Sequence, residues 1–309
     1  MARSSQTQAL ALRPSDASVR ASARIALFFD LFKLRIGLTI GFTALAGVAM
    51  TPGTAPAAWR VALLVLAVVV SSAAAGAFNQ YVERDLDARM ARTRARPFVS
   101  GALRASNAWL ALIALMGVAS VAVAALATNA LAALYTFAGA FVYGVVYTVW
   151  LKRRTWLNIV IGGVAGSFAV LAGAAAVTPE RLDAVPLWLA VVLFLWTPPH
   201  FWSLAIACRK DYEAAGVPML PALVGDAKAA KAVFAATALL VLASLAPAFY
   251  GLSWLYASAS IAGGGYFLWR SAALVRFPGR RTAMASFHAS LVQLTLLLAA
   301  GIADATLLH

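Results

Sequence analysis

VALLVLAVVVSSAAAGAFNQYVERDLDARMARTRARP, residues 61–97, changes character halfway along. Its first eighteen residues carry no charge, and its last nineteen gather eight charged side chains of both signs. An uncharged apolar run of about twenty residues is the length of a helix crossing the hydrocarbon core of a bilayer. The mixed charges that follow belong in water. The stretch therefore reads as a membrane helix that delivers a charged loop to an aqueous rim.

The rest of the chain agrees. Its 309 residues are 63% hydrophobic and only 12% charged, against roughly 45–50% apolar residues in soluble domains. Apolar stretches bounded by charges or turn formers fall at about 33–51, 57–79, 107–128, 130–150, 157–177, 185–207, 231–250, 253–273 and 284–304. Lipid offers no partner to a backbone amide, so these are helices, and their length excludes barrel strands. The expected fold is all-α: a polytopic membrane protein of nine transmembrane helices around a central cavity, in one domain over 29–309. Runs such as AAAGA, GGVAG and GAAA suit close helix–helix approach. The single cysteine, Cys208, excludes an internal disulfide and any cysteine-based metal site; it reads as a small helix-end residue. Residues 1–28 are expected to be a disordered cytoplasmic tail. A transit peptide competes with that reading, because the segment is rich in Ser and Arg, yet it is short and contains Pro14 and Asp16.

The net charge of +14 is explained by sidedness. With the N-terminus inside, 23 of the 25 Lys and Arg residues fall on the inner side, leaving Arg60 and Arg181 outside. That asymmetry is the positive-inside pattern, so nucleic acid is not needed as a partner and the lipid bilayer is. Both long loops, 79–106 and 208–231, are then cytoplasmic, and the working face is expected there.

Asn79, Glu83 and Asp87 recur every four residues. If the second span continues as a helix into the loop, the three share one face on successive turns. An amide and two carboxylates are hard oxygen ligands of the kind that hold Mg²⁺, with water and phosphate completing the shell. Asp85 points elsewhere on that helix, where it either supports the metal ligands from behind or pairs with a neighbouring arginine. Arg92, Arg94 and Arg96 follow at once, and guanidinium matches phosphate oxygens bidentately. Acids followed by arginines read as a Mg²⁺-bridged pyrophosphate site. The competing reading is a solvated helix end, with pairs formed among Glu83, Arg84 and Asp87.

Three further cytoplasmic segments bear on this. LKRRTWLN (151–158) brings Lys152, Arg153 and Arg154 to the end of span four and Asn158 to the start of span five; by itself it is an ordinary membrane-helix stop. WTPPHFWSL (196–204) sets two prolines, which interrupt the hydrogen-bond ladder, beside His200 and two tryptophans. His200 reads either as a hydrogen-bonded interfacial residue or as a haem-iron ligand. In the second long loop, Asp211, Tyr212 and Glu213 precede AGVPMLP, an apolar stretch that cannot be one continuous helix. It either folds back as a lid or dips into the membrane interface.

Together these residues resemble the intramembrane prenyltransferases of the UbiA type, from about residue 30 onward. Two motifs on cytoplasmic loops four spans apart are that family's pattern. NQYVERDLDARMARTRARP, YTVWLKRRTWLNIVIGGVAGSF, WTPPHFWSLAI and DYEAAGVPMLP resemble its haem-directed branch. The resemblance implies farnesyl diphosphate as donor, haem B as acceptor and haem O as product, with a haem A synthase or a terminal oxidase downstream. It implies that Asn79, Glu83 and Asp87 hold Mg²⁺. Arg92, Arg96, Lys152 and Arg153 would bind the phosphates, Asn158 would line the same cavity, and Asp211 and Tyr212 would close its opposite side. It further implies a bacterial cytoplasmic membrane as the location.

The sequence departs from the family pattern at three places. Glu83 stands where Asp is usual. Lys33-Leu34-Arg35 keeps the charges of a common Lys-Pro-Arg without its proline. Ala215 stands where the second motif would carry another acid, which argues against a second protein-held Mg²⁺ and leaves Lys210 to supply positive charge. Three other readings stay open on sequence: a quinone- or chlorophyll-pathway prenyltransferase with an aromatic or tetrapyrrole acceptor, a secondary transporter, and a haem-binding assembly factor without catalysis. Charges at the rim and almost none inside the spans count against the transporter.

Overall fold

The computed structural model describes residues 25–308. Most of the expected tail, residues 1–24, lies outside the described residues, and residues 25–31 are helical. A helix then stands at each expected span: α1 (Leu34–Ala49) and α2 (Ala58–Val82), α3 (Asn107–Ala127), α4 (Ala130–Leu151), α5 (Asn158–Val177) and α6 (Ala184–Ala207), α7 (Asp226–Phe249), α8 (Trp254–Arg276) and α9 (Arg280–Leu307). Among the described residues, seven of these are long and apolar enough to cross a membrane. The other two are α1, at 16 residues, and α8. No strand occurs among the described residues. Leu115, Val118 and Leu126 of α3 and Leu239 and Leu242 of α7 point outward. Large apolar patches of that kind are rare on soluble proteins and mark a lipid-facing surface. The chain is an integral membrane protein.

Consecutive helices are neighbours around the bundle, and α9 returns to pack on α6 and α1 while α1 crosses α5. Of the apolar cores that result, one joins α1, α5, α6, α7, α8 and α9 around Met50, Leu189, Leu240, Tyr256 and Phe267, and another joins α1 to α5 around Leu64, Ala67 and Ala172. The α1–α5 crossing needs glycine. A Cβ on Gly47 would overlap the Val170 carbonyl, and one on Gly173 the Ala44 carbonyl, so the two backbones touch directly.

Three details differ from the sequence reading. Expected to end at 79, the second span runs to Val82. The fourth span leaves α geometry after Phe141, and residues Val142–Leu151 form a π-helix. The sixth is not broken by its prolines: α6 runs through Pro198 and Pro199 to Ala207, with the Pro199 carbonyl accepting a hydrogen bond from Ser203 Oγ at 2.7 Å.

Gly173→Ala is expected to destabilise the chain by about 1–3 kcal/mol through overpacking. Gly117→Ala, where an added Cβ meets nothing within 4 Å, should be neutral or slightly stabilising. Thermal unfolding of the detergent-solubilised variants distinguishes the two.

Candidate active site

The charged stretch does form one helical face, across a joint. Helix α2 ends at Val82 and a short helix, Arg84–Arg89, begins after Glu83. The ladder passes through the joint, because Glu83 N–H donates to the Asn79 carbonyl at 3.0 Å and Asp87 N–H to the Glu83 carbonyl at 2.8 Å. Asn79, Glu83 and Asp87 therefore stack as expected, and all three are buried.

Their partners come from elsewhere in the chain. Lys152 Nζ lies 2.5 Å from Glu83 Oε2. Arg96 Nη1 donates to both Asp87 oxygens at 2.8 and 2.7 Å. Lys33 Nζ donates to Asn79 Oδ1 at 2.8 Å and to the Tyr143 hydroxyl at 3.0 Å, while Asn79 Nδ2 donates to Thr148 Oγ1 at 3.1 Å. The short-range pairs of a solvated helix end are absent at Glu83 and Asp87. Asp85, facing the other way, takes two hydrogen bonds from Arg153 at 2.8 and 2.7 Å, and these hold its carboxyl below the usual carboxylate range.

The π-helix makes the Lys152 contact reachable. At 3.6 residues per turn, nine positions from Tyr143 to Lys152 amount to two and a half turns, which would set them on opposite faces. Wider turns with i→i+5 bonding change that register. Thr148 Oγ1 accordingly donates to the Tyr143 carbonyl at 2.8 Å, and Lys152 N–H to the Tyr147 carbonyl at 2.9 Å. Tyr143 and Tyr147 stack at 5.7 Å beside the cluster.

The second loop closes the same cluster. Asp211 accepts from the backbone N–H of Ala91 and Arg92 at 3.1 and 3.3 Å, which ties the two loops together. Tyr212 is buried, and burial pushes its phenol above the usual range, so it stays a neutral hydroxyl. The AGVPMLP stretch turns at Gly216, whose φ of 68° is left-handed and suits glycine. Val217 and Met219 then pack with Leu86 and Met90 of the first loop and with Tyr147. The apolar stretch folds back onto the site, which is the lid reading.

Beneath the charged cluster lies a cavity of about 290 Å³. Lys33 and Tyr143 form its polar end, small residues such as Gly76, Gly139 and Ala169 its wall, and Trp196, Thr197 and His200 a far side. His200 is 8% exposed. Asn158 is fully buried, with Nδ2 bonded to the Thr155 carbonyl; like Glu83, Asp87 and Lys152, it does not border this apolar chamber. Lys33, Tyr143 and Thr148 were not among the residues singled out from sequence as site residues. Of the three, only Lys33 left a signal there, as a charge opening span one.

The donor set fits a hard cation. Glu83 Oε1 is buried with no hydrogen-bond partner, and an unpartnered carboxylate oxygen beside an amide and a second carboxylate suits Mg²⁺.

The fold and site define a helical membrane protein with a charged vestibule above an apolar chamber. The model of the UbiA prenyltransferase family matches residues 40–297, and the chain belongs to that family. It is 55% identical over 280 residues to protoheme IX farnesyltransferase 2 of Paramagnetospirillum magneticum, covering 90% of this chain and 96% of the relative. Two solved structures share the fold. One, a digeranylgeranylglyceryl phosphate synthase, has a TM-score of 0.74 at 17% identity, covering 92% of this chain and 99% of the other. The second is a UbiA homologue from Archaeoglobus fulgidus bound to DMAPP and Mg²⁺, with a TM-score of 0.69 at 15% identity, covering 87% and 98%.

Lys152→Met, which strands the buried Glu83 carboxylate, is expected to cost about 3–5 kcal/mol of stability. Arg153→Ala breaks an exposed pair and should cost about 1 kcal/mol or less. Thermal melts of both variants against the parent chain test the contrast.

Proposed function

We propose that this chain transfers a farnesyl group from farnesyl diphosphate to a vinyl group of haem B, with addition of water, giving haem O and diphosphate. One observation carries the reading: a buried, positively framed acidic cluster is joined through Lys33 to an apolar chamber in a chain 55% identical to a protoheme IX farnesyltransferase.

Asn79, Glu83 and Asp87 would hold Mg²⁺. Bound there, the ion supplies Lewis acidity to the diphosphate leaving group. Arg92, Arg96 and Lys152 would bind the phosphate oxygens and stabilise charge where it develops as the allylic C–O bond breaks, and Arg153 would join them by leaving its exposed pair with Asp85. Arg96 and Lys152 are already held at the cluster by Asp87 and Glu83, so the cationic groups are pre-positioned. Asp211 and Tyr212 would keep the second loop closed over the first, and Val217 and Met219 would exclude water from that side. The chamber would take the farnesyl chain and delay attack by water until the vinyl group has added. Water then captures the resulting carbocation beside the porphyrin and releases a proton. Asn158, buried at the start of α5, would line the diphosphate site. His200 faces the chamber on the acceptor side.

The topology proposed with this chemistry is nine spans, including the short α1 and α8, with the N-terminus and both long loops cytoplasmic, in a bacterial inner membrane. It is supported by the placement of 23 of 25 basic residues on one side. Haem O, amphipathic and bearing a new isoprenoid tail, would pass within the membrane to a haem A synthase or a terminal oxidase.

Membranes containing the chain, given farnesyl diphosphate with either haem B or 4-hydroxybenzoate, should yield only the farnesylated haem by mass spectrometry. Prenylated 4-hydroxybenzoate would overturn the assignment of acceptor. EDTA should stop the reaction and added Mg²⁺ restore it. Asp87→Asn should lower turnover at least a hundredfold while the protein remains inserted and folded, and near-normal turnover would sink the metal assignment.

A further inference from the structure

His200 is held more tightly than an interfacial anchor requires. Its ring is sandwiched between Trp196, at 4.0 Å and 20°, and Phe287, at 4.4 Å and 28°. Trp196 is itself fixed, with its indole N–H donating to the Ser290 carbonyl at 2.9 Å. Both faces of the imidazole are thus covered by aromatic carbon, surroundings that suit a neutral ring.

The hydrogen bonds also fix where its proton sits. Ser290 Oγ, fully buried, lies 2.6 Å from His200 Nδ1 and 2.6 Å from the Phe287 carbonyl oxygen. A carbonyl only accepts, so the single hydroxyl proton must lie between Oγ and that oxygen; otherwise two lone-pair-bearing oxygens would face each other at 2.6 Å. The contact to Nδ1 then needs its proton on Nδ1. Nε2 is left with its lone pair and makes no hydrogen bond among the described residues. With two faces and the Nδ1 edge occupied, the remaining edge carries Nε2, and His200 borders the chamber.

A neutral imidazole whose other nitrogen donates to a fixed partner is the arrangement that metal-ligating histidines adopt, because the second bond sets both tautomer and ring orientation. Resting on the reading of haem B as acceptor, we propose that His200 Nε2 binds the iron of the incoming haem as an axial ligand. Ser290 acts as the positioning residue that fixes the Nδ1–H tautomer. The bond fixes the macrocycle relative to the chamber and so determines how its vinyl edge meets the farnesyl chain. No electron transfer or covalent change at the ring is involved, only coordination of a lone pair that is otherwise unused.

The chain has three histidines, so the test is compact. Tag-free, detergent-solubilised full-length protein is titrated with ferric haem B and followed by absorption and electron paramagnetic resonance. The parent chain should give the spectrum of an imidazole-ligated haem. His288→Ala, which changes an exposed residue, should match it. His200→Ala should lose that spectrum and bind haem at least tenfold more weakly. His200→Gly with added imidazole should recover the spectrum, which a folding defect would not allow. Ser290→Ala should weaken haem binding about tenfold and shift the reduction potential of the bound haem, with Ser290→Thr restoring both. A His200→Ala protein that titrates as the parent does, while still forming farnesylated haem, overturns the ligation and leaves the reaction standing. A parent chain that neither binds nor farnesylates haem B overturns both.

Discussion

A fully buried carboxylate in an oily chain is the constraint from which the site is built. Glu83 has no exposed surface, and Lys152 Nζ meets it at 2.5 Å. An unpaired charge there would be strongly destabilising, so the end of α2 and the end of α4 are held together. The same requirement spreads outward. Asp87 fixes Arg96 and so folds the arginine tail back on the helix that precedes it. Asn79 receives Lys33, which draws the turn before α1 onto the cluster; that turn is in the left-handed region at Lys33 (φ 47°). Such strain at a non-glycine residue concentrates at functional sites.

The charged rim and the apolar chamber divide the work. Lys33 and Tyr143 belong to both, bonded to each other at 3.0 Å and lining the top of the cavity. Below them the wall is built of glycine, alanine and serine on α2, α4 and α5, and other small residues, Gly47 and Gly173, allow α1 and α5 to cross in backbone contact. Small side chains therefore serve close packing and open space at once, depending on which way they face. Above, the second loop is held by Asp211 to backbone amides and by Val217 and Met219 to the first loop, which explains apolar residues in a segment expected to meet water.

Much of this was legible in the sequence because membrane and metal chemistry both leave local marks. Uninterrupted apolar length set the helices, since lipid cannot satisfy a backbone, and the distribution of Lys and Arg gave a proposed sidedness. The four-residue spacing of Asn79, Glu83 and Asp87 put them on one face, because the helical ladder continues through the joint at Glu83. Asp85 was set apart by the same periodicity, but its partner is Arg153, sixty-eight residues away, and not a neighbouring arginine of its own loop.

What only the tertiary structure decided is who meets whom. The π-helix over Val142–Leu151 follows from no local propensity. Its register goes with Lys152 reaching Glu83 and with Thr148 meeting Asn79, contacts sixty-nine residues apart in the chain. Pro198 and Pro199 signalled an interruption locally, yet packing of α6 against α7 and α9 carries the helix through. His200 could be read from sequence as anchor or ligand alike, and its tautomer depends on a serine ninety residues away. Periodicity and composition specify which faces of a helix are apolar or charged. The partner across each face is set by long-range packing, where burial of a charge or a polar atom makes one arrangement far more stable than its alternatives.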